Sequence, residues 1–177
     1  MMRITALALT ASLLCTGAAA QAQSVSYDYD KTARFASFKT YAWVAGTGLS
    51  DSLVHQRVID AIDAQLAAKG LTKAQTAGEA DLLVAYHASF DRNLLVTGFA
   101  PGPGGYFFAG SRSVNLRAED VVVGTLIVDV VDARSKTIVW RGAATKDVNL
   151  KANPEKRDKN IARVAEKLFK HYPPRES

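Results

Sequence analysis

From Val25 the chain alternates. Val25, Tyr27 and Tyr29 are apolar or aromatic, while Ser26, Asp28 and Asp30 are polar. A period of two sends one set to a buried face and predicts a strand. Residues 35–44 predict a turn and a second short strand carrying Tyr41 and Trp43, ended by Gly46 and Gly48. The period then changes. Val54, Val58, Ile62 and Leu66 recur every fourth residue, with Gln56, Asp60 and Asp63 off the stripe, which predicts an amphipathic helix over 52–69. Ser50, Asp51 and Ser52 supply small acceptors for its first amides, and Lys69-Gly70 suits its end.

Residues 71–75 predict a short strand and 76–80 a turn. Alternation returns at 81–90, with Leu82, Val84, Tyr86, Ala88 and Phe90 on one face and Leu83, Ala85 and His87 on the other. Residues 98–110, GFAPGPGGYFFAG, hold too much glycine and proline for a regular element and predict a long loop or a loose hairpin tip. A strand over 117–132, a turn at 132–136 and a return strand over 137–148 make a hairpin. Asn153-Pro154-Glu155 then opens a last helix, with Asn as cap and Pro in the first turn. Ile161, Val164, Ala165, Leu168 and Phe169 form its stripe, and Pro173-Pro174 stops it. The order ββα(β)ββββα predicts an α+β fold: an antiparallel or mixed sheet with both helices packed on one face.

The first residues do not fit that domain. Arg3, an apolar run from Ile4 to Leu14 and a small-residue tract have the order of a secretory signal peptide over 1–22. The run is too short to span a bilayer. Cleavage fits after Ala20 or Ala22, and after Ala22 better, because Ala20 and Ala22 then fill the small positions. Residues 23–177 would form a single domain. Cys15 is the only cysteine, so it either leaves with the leader or carries a lipid anchor; the large Leu14 before it favours removal. Of 22 basic residues the leader holds only Arg3, so 21 basic face 17 acidic residues in the remainder, a net charge of +4. That permits attraction to an anionic surface without requiring it.

Three separated blocks resemble the family of the domain of unknown function DUF4136, found in Gram-negative envelope proteins and lipoproteins. They are VSYDYDKTARFASFKTYAW; RVIDAIDAQLAAKGL with ADLLVAYHAS; and GTLIVDVVDARSKTIVWRGAA with NPEKRDKNIARVAEKLFKHYPP. The resemblance covers nearly all of 25–174. It implies an envelope location and a fold, and it hands over no reaction, ligand or catalytic residue. Many relatives carry a clear lipobox, which this sequence does not.

Candidate chemistry is sparse. Asp129 and Asp132 lie three apart on a strand and point to opposite faces, so they do not converge for acid–base work. Asp132 suits the turn, and Asp129 suits a cross-strand pair with Arg141. His55, His87 and His171 have no metal-ligand spacing. His87 and Ser89 share a face but lack a nameable orienting group. Asp28 and Asp30 do not make a calcium loop, and no G-K-[ST] follows the glycine-rich segment. No cofactor motif is present.

Two surfaces remain. Phe99, Tyr106, Phe107 and Phe108 stud the 98–110 segment; Phe107 and Phe108 are adjacent and would face opposite ways, which suits contact with a partner protein of the envelope. Lys156, Lys159, Arg163, Lys167 and Lys170 line one face of the last helix and suit an anionic envelope surface. Glu155, Asp158 and Glu166 flank that face as intrahelical partners. An exported chain with so little stacking apparatus beside this helix does not suit nucleic acid. The expectation is a non-catalytic periplasmic binding or scaffolding module. The competing expectations are an outer-membrane lipoprotein of the same fold and a hydrolase or transferase with a dispersed site around His87.

Overall fold

A computed structural model describes residues 23–98 and 116–174. Residues 1–22 with Cys15, and the aromatics Phe99, Tyr106, Phe107 and Phe108, lie outside the described residues. The elements run β1 (Gln23–Tyr29), β2 (Thr40–Trp43), α1 (Ser52–Ala68), β3 (Thr72–Lys73), β4 (Leu82–Gly98), β5 (Leu116–Asp132), β6 (Ile138–Val148) and α2 (Pro154–Phe169). The α+β class holds, with both helices packed on one face. After β3 the described residues hold three strands where the sequence suggests four, because β4 and β5 are each 17 residues long. The strand read over 81–90 continues to Gly98.

The sheet is mixed, in the order β1-β6-β5-β4-β2-β3. β1, β6, β5 and β4 are mutually antiparallel, and β2 runs parallel to both β3 and β4. A helical crossover through α1 joins the parallel strands. Gly46 permits the chain after β2 to stay beside β4, since a β-carbon there would strike the Tyr86 carbonyl.

Both helices begin as their sequences dictate. Asp51 accepts from the amides of Leu53 and Val54, and Asn153 accepts from Lys156. Gly70 takes the left-handed conformation that closes α1, with φ of 84°. Val58, Ile62 and Leu66 of α1 and Ala165, Leu168 and Phe169 of α2 are buried. They meet Leu82, Val84 and Tyr86 of β4, Val128 and Val130 of β5 and Trp140 of β6. A bulge between Val130 and Val131 breaks strict alternation, so that adjacent Val139 and Trp140 both enter the core.

Register fixes what each face displays. On the helix side, four rows cross β4, β5, β6 and β1 in turn. They read Val84, Val130, Trp140, Tyr29; then Tyr86, Val128, Gly142, Tyr27; then Ala88, Leu126, Ala144, Val25; then Phe90, Gly124, Lys146, Gln23. On β6 the bulk of Trp140 gives way to Gly142 and Ala144, and on β5 the series ends at Gly124. The last two rows carry glycine, alanine and a lysine where the first carries tryptophan.

Candidate functional site

The opposite face, away from the helices, carries the densest polar cluster among the described residues. Asp129 is 5% exposed there. Arg141, its cross-strand neighbour, donates from Nε at 2.5 Å and from a terminal nitrogen at 2.7 Å. The carboxylate holds the guanidinium above its already high ordinary pKa, by hydrogen bonds first and charge second. His87 Nε2 lies 3.4 Å from Asp129 Oδ2, the oxygen that also accepts from the Arg141 terminal nitrogen. Asp129 is thus the orienting group for His87 that sequence spacing does not reveal.

One ring nitrogen of the histidine is hydrogen-bonded. Its Nδ1 accepts from the Thr47 amide at 3.1 Å while Nε2 faces Asp129. With Nδ1 accepting from the Thr47 amide, that nitrogen is not offered to Ser89 as a base. Asp132 is likewise committed, accepting from the amides of Arg134 and Ser135 in the hairpin turn.

The other histidines serve packing. His55 Nδ1 contacts the Tyr86 hydroxyl, and His171 stacks on Tyr27 with ring centroids 5.0 Å apart. Asp63 accepts from Tyr41 and Trp43 and pairs with Lys73. Burial first, and then Asp63, pushes the Tyr41 phenol well above its usual range. Among the described residues no cluster of His, Cys, Asp and Glu could hold a metal ion.

The cavity is on the helix side. A cleft of about 380 Å³ opens between the N-terminal halves of α1 and α2, over the small-residue rows of the sheet. Gly124, Leu126, Ala88 and Ala144 form its floor; Val54 and Val58 stand on one side, and Ile161 and Val164 on the other. Phe90 and Leu150 line its rim, 49% and 50% exposed. Apolar surface left open at a concavity is the usual mark of a contact site. Most polar side chains at its border are committed. Asp51 caps α1, and Arg157 donates to the carbonyls of Leu150 and Ala152.

Lys146 is the exception. It extends β6 on the apolar face, and among the described residues its Nζ bonds only the Asn160 side-chain oxygen, at 3.2 Å. Burial, followed by repulsion from Arg163, Lys167 and Lys156, pushes its pKa below the ordinary lysine value. The helix cations read from the sequence thus have a neighbour on the sheet. Lys156, Lys159, Arg163, Lys167 and Lys170 are all exposed, and three of them crowd Lys146. Asp158 does not pair within its own helix; it bridges to Arg57 of α1 at 2.6 Å.

Sequence reading misses the cleft and Lys146. The signal was present in β6, where Trp140, Gly142, Ala144 and Lys146 share one face: bulk, then two small residues, then a charge. Small residues at the core positions of a strand leave room above them.

Among the described residues no helix is long and apolar enough to cross a membrane. Similar folds occur in solved structures. A DUF4136 family protein from Bacteroides thetaiotaomicron aligns at 17% identity and TM-score 0.53, covering 85% of this chain and 96% of that one. A PDZ domain protein from Parabacteroides distasonis aligns at 15% identity and TM-score 0.58, over 88% of this chain. This chain spans only 37% of that protein's length. The PelC dodecamer from Paraburkholderia phytofirmans aligns at 9% identity and TM-score 0.50, covering 84% and 95% of the two chains. At such identities the likeness is one of fold. No curated protein matches in sequence. A family model described as "Domain of unknown function (DUF4136)" matches residues 25–174, and the chain belongs to that family.

Proposed function

We propose that this chain is an exported, non-catalytic binding module of the bacterial envelope, which makes its contacts through the cleft between α1 and α2. One observation carries the reading. The cavity and the Asp129–Arg141–His87 cluster stand on opposite faces of the sheet. An enzyme needs titratable groups converging on the space where substrate sits. Here the space is lined mainly by apolar side chains, and the polar cluster is internally satisfied. The leader-like residues 1–22 support export.

The test is photo-crosslinking in living cells, with a benzophenone side chain at Leu150 on the rim and a control at Ser26 on the opposite face. Discrete adducts from Leu150 and none from Ser26 are expected. Adducts from Ser26 alone, or none from either position, would contradict the reading.

A further inference from the structure

We propose that the cleft takes a single-chain amphiphile with a phosphate headgroup, the chain lying over Gly124, Leu126 and Ala144 and the phosphate held at Lys146. This deepens the binding-module reading and rests on it.

Volume and lining both suit an alkyl chain. About 380 Å³ bounded by valine, isoleucine, leucine, alanine and glycine suits one flexible alkyl chain, at the small end of ligand cavities, which run roughly 300–1,000 Å³. The floor is low because Gly124 stands opposite Lys146 and Ala144 opposite Leu126. A β-carbon at Gly124 would come within 2.7 Å of Val148 Cγ2 and 3.3 Å of the Phe90 ring, so no larger residue fits the floor unchanged.

The headgroup half is charge without a counter-charge. Lys146 lies at the wall of an apolar space, and no carboxylate among the described residues pairs with it. A half-buried lysine that is crowded by other cations is costly to the fold. An anion arriving from outside turns that cost into attraction. Asn160 lines the cleft beside it, and Gln23 is its cross-strand neighbour on β1, outside the cleft lining. Asn160 gives its oxygen to Lys146, which leaves its nitrogen free to donate. Gln23 faces Lys146 directly across β1 and β6, and its side-chain nitrogen is buried without a hydrogen-bond partner among the described residues. Arg163, Lys167 and Lys156 lie close enough to disfavour the charge on Lys146. A phosphate monoester carries more charge than a carboxylate and offers three acceptor oxygens to Lys146 and Asn160. Asp51 does not compete for the cations, because it caps α1, where the helix dipole already stabilises it. Asp147 also borders the cleft, but strand alternation starts its side chain toward the other face and it forms no ion pair with Lys146.

The experiment is equilibrium binding to the purified protein of a 14-carbon lysophosphatidate and of the matching monoacylglycerol, which shares the chain and the glycerol and lacks the phosphate. Both are used below their aggregation thresholds. Lysophosphatidate is expected to bind at least about tenfold tighter, the scale of one charge-assisted hydrogen bond. Lys146→Gln should collapse that ratio to within about twofold while leaving monoacylglycerol affinity intact. Lys31→Gln removes the same charge at a distant turn and should leave the ratio unchanged. Inorganic phosphate at the same concentration should not displace the amphiphile.

Equal affinity for the two lipids would overturn the headgroup assignment, and so would a preference that survives Lys146→Gln. Displacement by inorganic phosphate would overturn the chain assignment. Binding of neither lipid would overturn this inference entirely. Crosslinking from Leu150 would then decide whether the cleft is a contact site for something else or not a site at all.

Discussion

Arg141 grips Asp129 across β5 and β6 with two bonds of 2.5 and 2.7 Å, on the sheet face that no helix covers. The carboxylate side chain is 7% exposed and the guanidinium side chain 51%. The arginine acts as a lid over a charge that would otherwise face a thin layer of side chains. The pair therefore contributes to stability.

Arg141→Met should cost about 1–3 kcal/mol, because it strands a nearly buried carboxylate. Asp129→Asn should cost less, since the amide keeps the shape and one acceptor. Urea unfolding of both single variants and the double variant gives the coupling, expected to be at least about 1 kcal/mol. Strict additivity would show that the two side chains do not act as a unit.

Gly142 lies on the sheet directly beneath Leu168 of α2. A β-carbon there would collide with the Trp140 ring and lie 2.8 Å from Leu168 Cδ1. Gly142→Ala should therefore destabilise by about 1–3 kcal/mol through overpacking. Gly78→Ala is the matched control. Its β-carbon would meet only Thr76 Oγ1, at 4.0 Å, and its effect should stay within about 0.5 kcal/mol. Thermal unfolding of the two variants checks the contrast.

What the sequence makes legible follows from local rules. The α1 stripe of Val58, Ile62 and Leu66, the Asp51 and Asn153 caps and the Asp132 turn depend on residues within a few positions of one another. The Asp129–Arg141 pair is legible too, because a hairpin fixes its own register. His87 meeting Asp129 is not, since that needs the pairing of β4 with β5. The cleft is hidden for the same reason. Gly124, Ala144 and Ala88 come from three strands and form one floor only once register is set. Lys156, Arg163 and Lys167 are readable as a basic face, yet their crowding around Lys146 depends on where α2 lands.

Lys146→Met should make the protein more stable at neutral pH. The folded pKa of Lys146 lies below that of an exposed lysine, by burial first and by Arg163, Lys167 and Lys156 next. The unfolded chain therefore holds this proton more tightly, so the charge opposes folding at every pH below the folded pKa. The penalty fades as pH rises through that value towards the ordinary lysine range. The gain of Lys146→Met over the parent should accordingly be full at pH 7 and shrink in alkali. It should also shrink with added salt, which screens the repulsion from the three helix cations. Melting temperatures of the two proteins across pH and ionic strength check this, and a variant less stable than the parent at pH 7 would refute it.

The most direct measurement is a map of methyl NMR shifts as the 14-carbon lysophosphatidate is added to the protein. Val58, Leu126, Ile161 and Val164 face the cleft, while Leu83 and Ile127 lie on the other face of the sheet. Shifts confined to the first group are expected if the helix side is the binding surface. Shifts centred on Leu83 and Ile127 would place the ligand beside Asp129 and His87 and contradict the assignment of the cleft.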